Sequence, residues 1–120
     1  MAGLTNESKA LMLDAFGEKA LFVSLHTDDP SDNGSWEMEG GSPAYARKAI
    51  TWSPAINGFK SNSESFTFNV PAFTSIVFIG YWSAEKNGTF YGSRSLEAVE
   101  TFATQGAYTV ASGALTESIA

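Results

Sequence analysis

The sequence of 120 residues contains no cysteine and one histidine, His26. Without cysteine there can be no disulfide bridge, no thiol nucleophile and no cysteine-ligated zinc. Neither a G-x-S-x-G nor an H-E-x-x-H motif occurs. A structural His26, hydrogen-bonded to the backbone, is favoured over a base or a metal ligand. The composition therefore predicts a protein that is not an enzyme, with no catalytic residues and no cofactor.

Basic residues are also few: seven Lys and Arg stand against 13 Asp and Glu, and the net charge is −6. Binding to nucleic acid or to an anionic membrane needs clustered basic side chains, so we expect neither partner. No apolar run reaches the roughly 18 to 20 residues of a spanning helix. Residues 1–7 lack the basic and apolar regions of a signal peptide. We expect a soluble protein that is made in the cytoplasm.

Apolar and aromatic residues are plentiful. Hydrophobic residues make up 43% of the sequence and aromatic residues 13%, with nine Phe among them. Such side chains pack well on pleated surfaces, and a chain of this length can bury one good core. The sequence predicts a single domain over residues 1–120 with a mainly β fold. We expect an antiparallel β-sandwich or a partly closed barrel with one short N-terminal α-helix.

The helix is predicted over residues 4–17, with Thr5 as its N-cap and Gly17 as its stop signal. A helix this short is marginal alone. It must therefore dock on its own sheet or on a neighbouring chain. Its apolar residues, spaced for one side of a helix, are Leu11, Met12, Ala15 and Phe16.

The β core is predicted over residues 20–120. Residues 75–82 leave almost no polar face, which is typical of a central strand covered on both sides. Asn57-Gly58 and Asn87-Gly88 are strong turn signals, and a closing hairpin is expected around Ser112-Gly113. Further strands are expected at residues 20–26, 45–52, 65–70 and 89–91, with the arms of the closing hairpin at 107–111 and 114–119.

A polar loop over residues 28–43 holds a candidate metal site. Asp28, Asp29 and Asp32 could supply oxygen ligands to Ca²⁺. The EF-hand pattern fails, however, because the twelfth position counted from Asp29 is Gly40 rather than Glu. A solvated loop with Asx turns is therefore favoured over a metal site.

Some side chains are candidates for contacts with a partner protein. Trp36 lies in the polar loop without apolar neighbours, and an exposed tryptophan is a typical interface anchor. Arg47 could pair with a loop carboxylate or with a partner surface. The alternative for Arg47 is an exposed charge that protects an edge strand. The candidates are Leu11, Phe16, Trp36, Tyr45 and Arg47.

Several runs of the sequence carry a resemblance in combination. These runs are Leu25-His26-Thr27-Asp28-Asp29-Pro30 with Gly34, then residues 39–48, 79–84, 88–92 and 111–115. Together they resemble a family of small structural proteins of tailed-phage virions that is common in phages of actinobacteria. The resemblance covers most of the chain from Ala20 onward.

The resemblance implies a non-enzymatic structural protein on the exterior of the virion, of a kind described as tail fibre, minor tail or head decoration protein. Because the chain has no repeats or heptads for a fibre shaft, capsid decoration is the leading expectation. A minor tail or tail fibre protein, including a receptor- or carbohydrate-binding adhesin, is the alternative. The expected partners are the major capsid protein or tail proteins, and further copies of the chain in a homo-oligomer such as a trimer.

Overall fold

The computed structural model describes residues 3–119. Within these residues one helix, α1 (Asn6–Lys19), precedes eight strands. The strands are β1 (Phe22–His26), β2 (Lys48–Ala49), β3 (Phe59–Ser61), β4 (Phe66–Val70), β5 (Thr74–Trp82), β6 (Phe90–Phe102), β7 (Gly106–Val110) and β8 (Thr116–Ser118). They form a four-stranded sheet in the order β2-β1-β5-β6 and two strand pairs, β3-β8 and β4-β7. Every pairing is antiparallel.

This architecture confirms the predicted mainly β fold with a short N-terminal helix. The antiparallel sheets stay open, which fits a β-sandwich rather than a closed barrel. One cluster of buried side chains joins the four-stranded sheet to the β4-β7 pair. Its members with no exposed surface are Ala20, Val23, Leu25, Phe68, Val70 and Ile76. No helix within residues 3–119 is long and apolar enough to cross a membrane.

The start of α1 agrees with the sequence, whereas its end does not. The Thr5 side chain accepts a hydrogen bond from the backbone N–H of Ser8, as predicted for an N-cap. The prediction that Gly17 ends the helix is wrong, because α1 continues to Lys19. A Cβ atom at Gly17 would lie 2.3 Å from Cε of Lys60. Gly17, which lies within the helix, therefore makes room for the side chain of Lys60 from β3.

Lys60 fastens α1 to β3 through that space. The Lys60 side chain is only 6% exposed. Its Nζ donates to Oδ1 of Asp14 at 2.7 Å and to the carbonyl oxygen of Ser53 at 2.9 Å. The Asp14 carboxylate also accepts from the backbone N–H of Ala55. These hydrogen bonds, with that from Lys60 the most important, lower the pKa of Asp14.

One antiparallel pairing runs through half of the chain. Val70 pairs with Gly106 and Thr74 pairs with Phe102, and between these pairs each strand skips three residues. The register of β4-β7 thus continues into β5-β6, and β3-β8 extends the same pairing at the other end. Residues 59–118 are therefore one long hairpin. It bends at two places, between the β3-β8 and β4-β7 pairs and between the β4-β7 and β5-β6 pairs.

The long hairpin explains which predicted strands were right. β5 is central, between β1 and β6, as its apolar sequence predicted. The predicted closing hairpin is wrong: β7 pairs with β4 and β8 pairs with β3. A turn does form there, with the backbone N–H of Ala114 donating to the carbonyl of Ala111, but the flanking strands follow the long hairpin. β6 has 13 residues, far more than predicted, and the strand expected at 45–52 is reduced to β2.

Asn62 holds the bend between the β3-β8 and β4-β7 pairs. Its side chain is buried, at 1% exposed. Its Nδ2 donates to the carbonyl oxygens of Glu64 at 2.8 Å and Ala111 at 2.9 Å, and its Oδ1 accepts from the backbone N–H of Leu115 at 3.0 Å. A bend interrupts the ladder of backbone hydrogen bonds, and buried backbone groups need other partners. One side chain supplies three of them.

We expect Asn62→Ala to lower the free energy of unfolding by about 3–5 kcal/mol, because three hydrogen bonds are lost and buried backbone groups are left unpaired. Urea denaturation followed by circular dichroism measures the loss. Asn69→Ala, which removes a half-buried asparagine inside β4, is the matched control and should cost about 1 kcal/mol. Equal losses for the two variants would contradict this role of Asn62.

Candidate functional site

The loop between β1 and β2 is fastened to the sheet by Arg47, whose side chain is 8% exposed. Its Nε and Nη2 donate to the two carboxylate oxygens of Glu37 at 2.9 and 2.8 Å. Its Nη1 donates to the carbonyl oxygens of Ala84 at 3.0 Å and Asn87 at 2.8 Å. The guanidinium carbon lies 3.7 Å from the ring centroid of Trp82. A buried charge with so many partners is well compensated.

Tyr45 ties the same carboxylate to β1. Its hydroxyl donates to Oε2 of Glu37 at 2.9 Å and accepts from the backbone N–H of Leu25 at 3.0 Å. Its ring stacks on Phe68, with 6.1 Å between the ring centroids. Burial, and secondly the Glu37 charge, raise the pKa of Tyr45, so the hydroxyl stays protonated and continues to donate.

His26 holds the other side of the loop. Its Nδ1 lies 2.7 Å from the carbonyl oxygen of Ser35, which can only accept, so Nδ1 carries the proton. Its Nε2 then accepts from Oγ of Ser24 at 2.6 Å, and that oxygen accepts from Nε1 of Trp82 at 2.8 Å. Burial lowers the pKa of His26. The result is a neutral histidine bonded to the backbone, in agreement with the structural interpretation of the sequence.

Two glycines allow these groups to come together. A Cβ atom at Gly80 would lie 2.6 Å from both Nε2 of His26 and Oγ of Ser24. Gly34 has φ +77°, and a Cβ atom there would lie 2.5 Å from the ring of Trp82. A larger residue at Gly80 would displace the side chains of His26 and Ser24, and one at Gly34 would push the loop away from Trp82. We call the set of Ser24, His26, Glu37, Tyr45, Arg47 and Trp82 the loop lock.

Trp36 lies between two residues that the loop lock holds. The carbonyl of Ser35 is bound by His26, and the carboxylate of Glu37 is bound by Arg47 and Tyr45. Trp36 itself has φ +63° and a side chain that is 62% exposed. A bulky residue in this region of backbone space costs about 1–3 kcal/mol. The fixed neighbours therefore hold the backbone of Trp36 in this conformation, from which the side chain points outward.

The acidic residues of the loop make local turns. Oδ1 of Asp28 accepts from the backbone N–H of Asp29, and Oδ1 of Asp29 accepts from that of Ser31, both at 2.8 Å. Asp32 is exposed. Among residues 3–119 no group of three or more His, Asp or Glu side chains has an arrangement that could hold a metal ion. The structure thus does not bring Asp28, Asp29 and Asp32 together as ligands.

Three of the five interface candidates from the sequence make contacts within the chain, and two remain exposed. Tyr45 and Arg47 point inward and bind within the chain, so Arg47 takes the loop-carboxylate alternative. Phe16 is half-buried and packs edge-on against Tyr81, with ring centroids 5.4 Å apart. Leu11, at 71% exposed, and Trp36 remain on the surface.

Sequence reasoning missed the partners of the loop lock. Ser24 and Trp82 lie 58 positions apart, and Glu37 lies among several other acidic residues of the loop. No local pattern marks Glu37 or Trp82. Two signals were available. Ser24 and His26 are two positions apart and therefore share one face of a strand, and a glycine within a strand, as before Tyr81-Trp82, often marks a close approach.

An open cleft of about 430 Å³ lies between the loop and the Asn87-Gly88 turn, beside the loop lock. Glu37 and Arg47 line it, and their charges already pair with each other. The polar groups of the loop lock therefore bind one another and hold the loop against the sheet. Trp36 projects from this loop into solvent.

Comparison with protein-family models gives a match over residues 14–118, to a family of phage fibre proteins. The chain is therefore a structural protein of a phage virion. It belongs to the Gp80 family, described as "Podophage GP4 fiber I protein gp80", and this confirms the resemblance to tailed-phage virion proteins. A search of curated proteins finds no significant match.

Arg47→Lys should lower the free energy of unfolding by about 2–4 kcal/mol, because lysine cannot make the paired contact with Glu37 or stack on Trp82 in the same way. Thermal and urea denaturation measure the loss. Arg94→Lys is the control, since the Arg94 side chain is 44% exposed in its ion pair with Glu117. The control should lose about 1 kcal/mol or less. Similar losses at both positions would show that burial of Arg47 adds nothing.

The His26 hydrogen bonds predict a pH dependence of stability. The pKa of folded His26 lies below the ordinary value of 6.5, so the unfolded chain takes up a proton first as the pH falls. The stabilisation from neutral His26 is thus complete above about pH 7 and is lost as the pH falls below about 6.5. Urea denaturation between about pH 7.5 and 5.5 should show this decline.

The control is His26→Gln, which removes the only histidine of the chain. This variant should be less stable at neutral pH, and its stability should change little between about pH 7.5 and 5.5. An unchanged slope in the variant would assign the pH dependence to other groups.

Proposed function

We propose that this protein is a subunit of the phage tail fibre and that it acts by protein–protein contact rather than by catalysis. The observation that carries this proposal is the match to a fibre protein family over residues 14–118. It favours the tail fibre alternative over the capsid decoration expected from the sequence. Within the proposal, residues 1–120 act as a single domain on the exterior of the virion, after synthesis in the host cytoplasm.

The shape of the molecule supports a fibre subunit. The chain measures 50 × 26 × 25 Å, about twice as long as it is wide, and the bent hairpin of residues 59–118 makes up half of it. The lack of heptads argued against a fibre shaft, but a filament can also form from folded subunits in repeated head-to-tail contact. Self-association and contact with other tail proteins are both part of the proposal.

We propose that Trp36 binds a neighbouring virion protein. Its ring is exposed and apolar, and its backbone is held by fixed neighbours, so little backbone entropy remains to be lost on binding. Tryptophan is also among the residues that most often dominate interface energy. The surrounding acidic residues, Asp28, Asp29 and Asp32, would then lie at the polar rim of the contact.

Electron microscopy of phage particles labelled with gold-coupled antibodies against this protein tests the proposal. We expect label on the tail fibres and none on the head. Label on the head would overturn it and return capsid decoration to first place.

Particles assembled with Trp36→Ala should carry fewer copies of the protein, as measured by quantitative mass spectrometry.

The matched control is Tyr91→Ala, which removes a 40% exposed aromatic side chain from β6. Its incorporation should equal that of the wild type. Thermal denaturation of both purified variants checks that the fold is intact. Equal incorporation of Trp36→Ala and wild type would remove Trp36 from the contact without affecting the fibre assignment.

A further inference from the structure

Helix α1 has apolar residues on the side that faces away from the protein. Its inward side carries Leu13, at 4% exposed, and is followed by the fully buried Ala20. Leu11 lies about 200° around the helix from Leu13 and is 71% exposed. Ala15, one turn further, is also exposed. A helix that only covers its own sheet normally has polar residues at the centre of its outer side.

Charged residues extend this outer side in a regular way. Glu7, Leu11, Ala15 and Lys19 are spaced four residues apart and are all exposed. We call them the outer row. Rows of this spacing form the ridges through which helices most commonly pack on one another. The outer row is acidic at the N-terminal end of α1, apolar in its middle and basic at the C-terminal end.

We propose that the outer row is a contact between two copies of this chain, with their α1 helices antiparallel across a two-fold axis. In this arrangement Leu11 packs on Ala15 of the partner subunit, and the small alanine allows the helices to approach. Glu7 meets Lys19 of the partner subunit, and the symmetry repeats both contacts. The proposal goes beyond fibre membership, because it names the surface and the symmetry of one self-contact.

The charge pattern selects a second copy in one orientation. A two-fold contact must be complementary to itself, and an acidic–apolar–basic row meets this condition when it is reversed. The antiparallel arrangement also opposes the two helix dipoles favourably. A parallel pair would place Glu7 against Glu7 and Lys19 against Lys19, which are repulsive contacts.

The size of the outer row sets the strength of the contact. Helix α1 has 14 residues and is about 21 Å long. One side of such a helix offers much less than the roughly 800 Å² per partner of a standard interface. Met12 and Leu4, at 43% and 51% exposed, add apolar surface nearby. We therefore expect a weak pair, with a dissociation constant on the order of 10–100 μM.

Sedimentation equilibrium of the purified protein between about 5 and 500 μM tests the pairing. The wild type should change from monomer to dimer across this range, and Leu11→Glu should remain monomeric. Val99→Glu is the matched control, since Val99 is a 56% exposed apolar residue on β6, and it should dimerise like the wild type. A wild-type monomer throughout, or equal dimerisation of Leu11→Glu, would overturn the proposal.

Charge reversal tests the orientation. Glu7→Lys and Lys19→Glu should each weaken the dimer several-fold, and the double variant should recover it, because only the antiparallel arrangement restores opposite charges. Far-ultraviolet circular dichroism checks that α1 remains helical in each variant. Failure of the double variant to recover, with the helix intact, would rule out the antiparallel pair.

The absence of cysteine allows a direct test of the register. Leu11→Cys mixed with Ala15→Cys should form a disulfide between the two chains faster than either variant forms one alone, because a disulfide needs Cα atoms within about 7 Å. Equal rates would contradict the register. If the purified chain stays monomeric and Leu11→Cys instead crosslinks to another protein in the virion, the occupant is that protein and the self-contact is wrong. The sedimentation, charge-reversal and disulfide tests use purified chains and stay informative if the protein proves to lie on the head.

Discussion

The antiparallel pairing within residues 59–118 is the constraint on which the rest of the structure depends. β1 pairs with β5 of this hairpin. Helix α1 directly precedes β1 in the chain and the long loop directly follows it, so the position of β1 sets where both begin. The bends of the hairpin place β4 and β7 against the four-stranded sheet, which closes the core. A slip of one residue would turn each inward side chain outward, so Ile76 and Phe68 could not both stay buried. Asn62 contributes to this register by binding both strands of the hairpin at one bend.

Buried polar side chains connect the irregular segments to that hairpin. Lys60 joins α1, Asn62 joins the bend, and Arg47 and His26 join the long loop; within residues 3–119 every buried side-chain N or O atom has a hydrogen-bond partner. Such networks are favourable only when they are complete. Several residues that carry the family resemblance belong to this internal set. The residues of the resemblance therefore include much of the scaffold, whereas the contacts that we propose with other chains lie at exposed residues, Trp36 and Leu11.

Local signals predicted those parts of the fold that local chemistry determines. Thr5 caps α1, and both Asn-Gly pairs adopt positive φ, at Asn57-Gly58 and Asn87-Gly88. The errors are non-local. Gly17 predicts a helix end only when its neighbour Lys60 is left out, and residues 107–119 predict a hairpin because a real turn separates two strands that have distant partners. The loop lock shows the same limit. One alternative for Arg47 included a loop carboxylate, and Ser24 and His26 are neighbours on one face of β1, but Trp82 joins them only through tertiary packing.

The position of Trp36 follows from the loop lock rather than from its own preferences. A positive φ is unfavourable for a tryptophan, and so is the exposure of most of its ring to water. Its neighbours Ser35 and Glu37 are each bound to buried groups, and the backbone carbonyl of Trp36 accepts from Thr27 at 3.0 Å. The free energy of these buried contacts offsets the local strain at Trp36. An irregular loop can thus present an aromatic ring as rigidly as a strand would, because its order comes from side-chain bonds to the sheet.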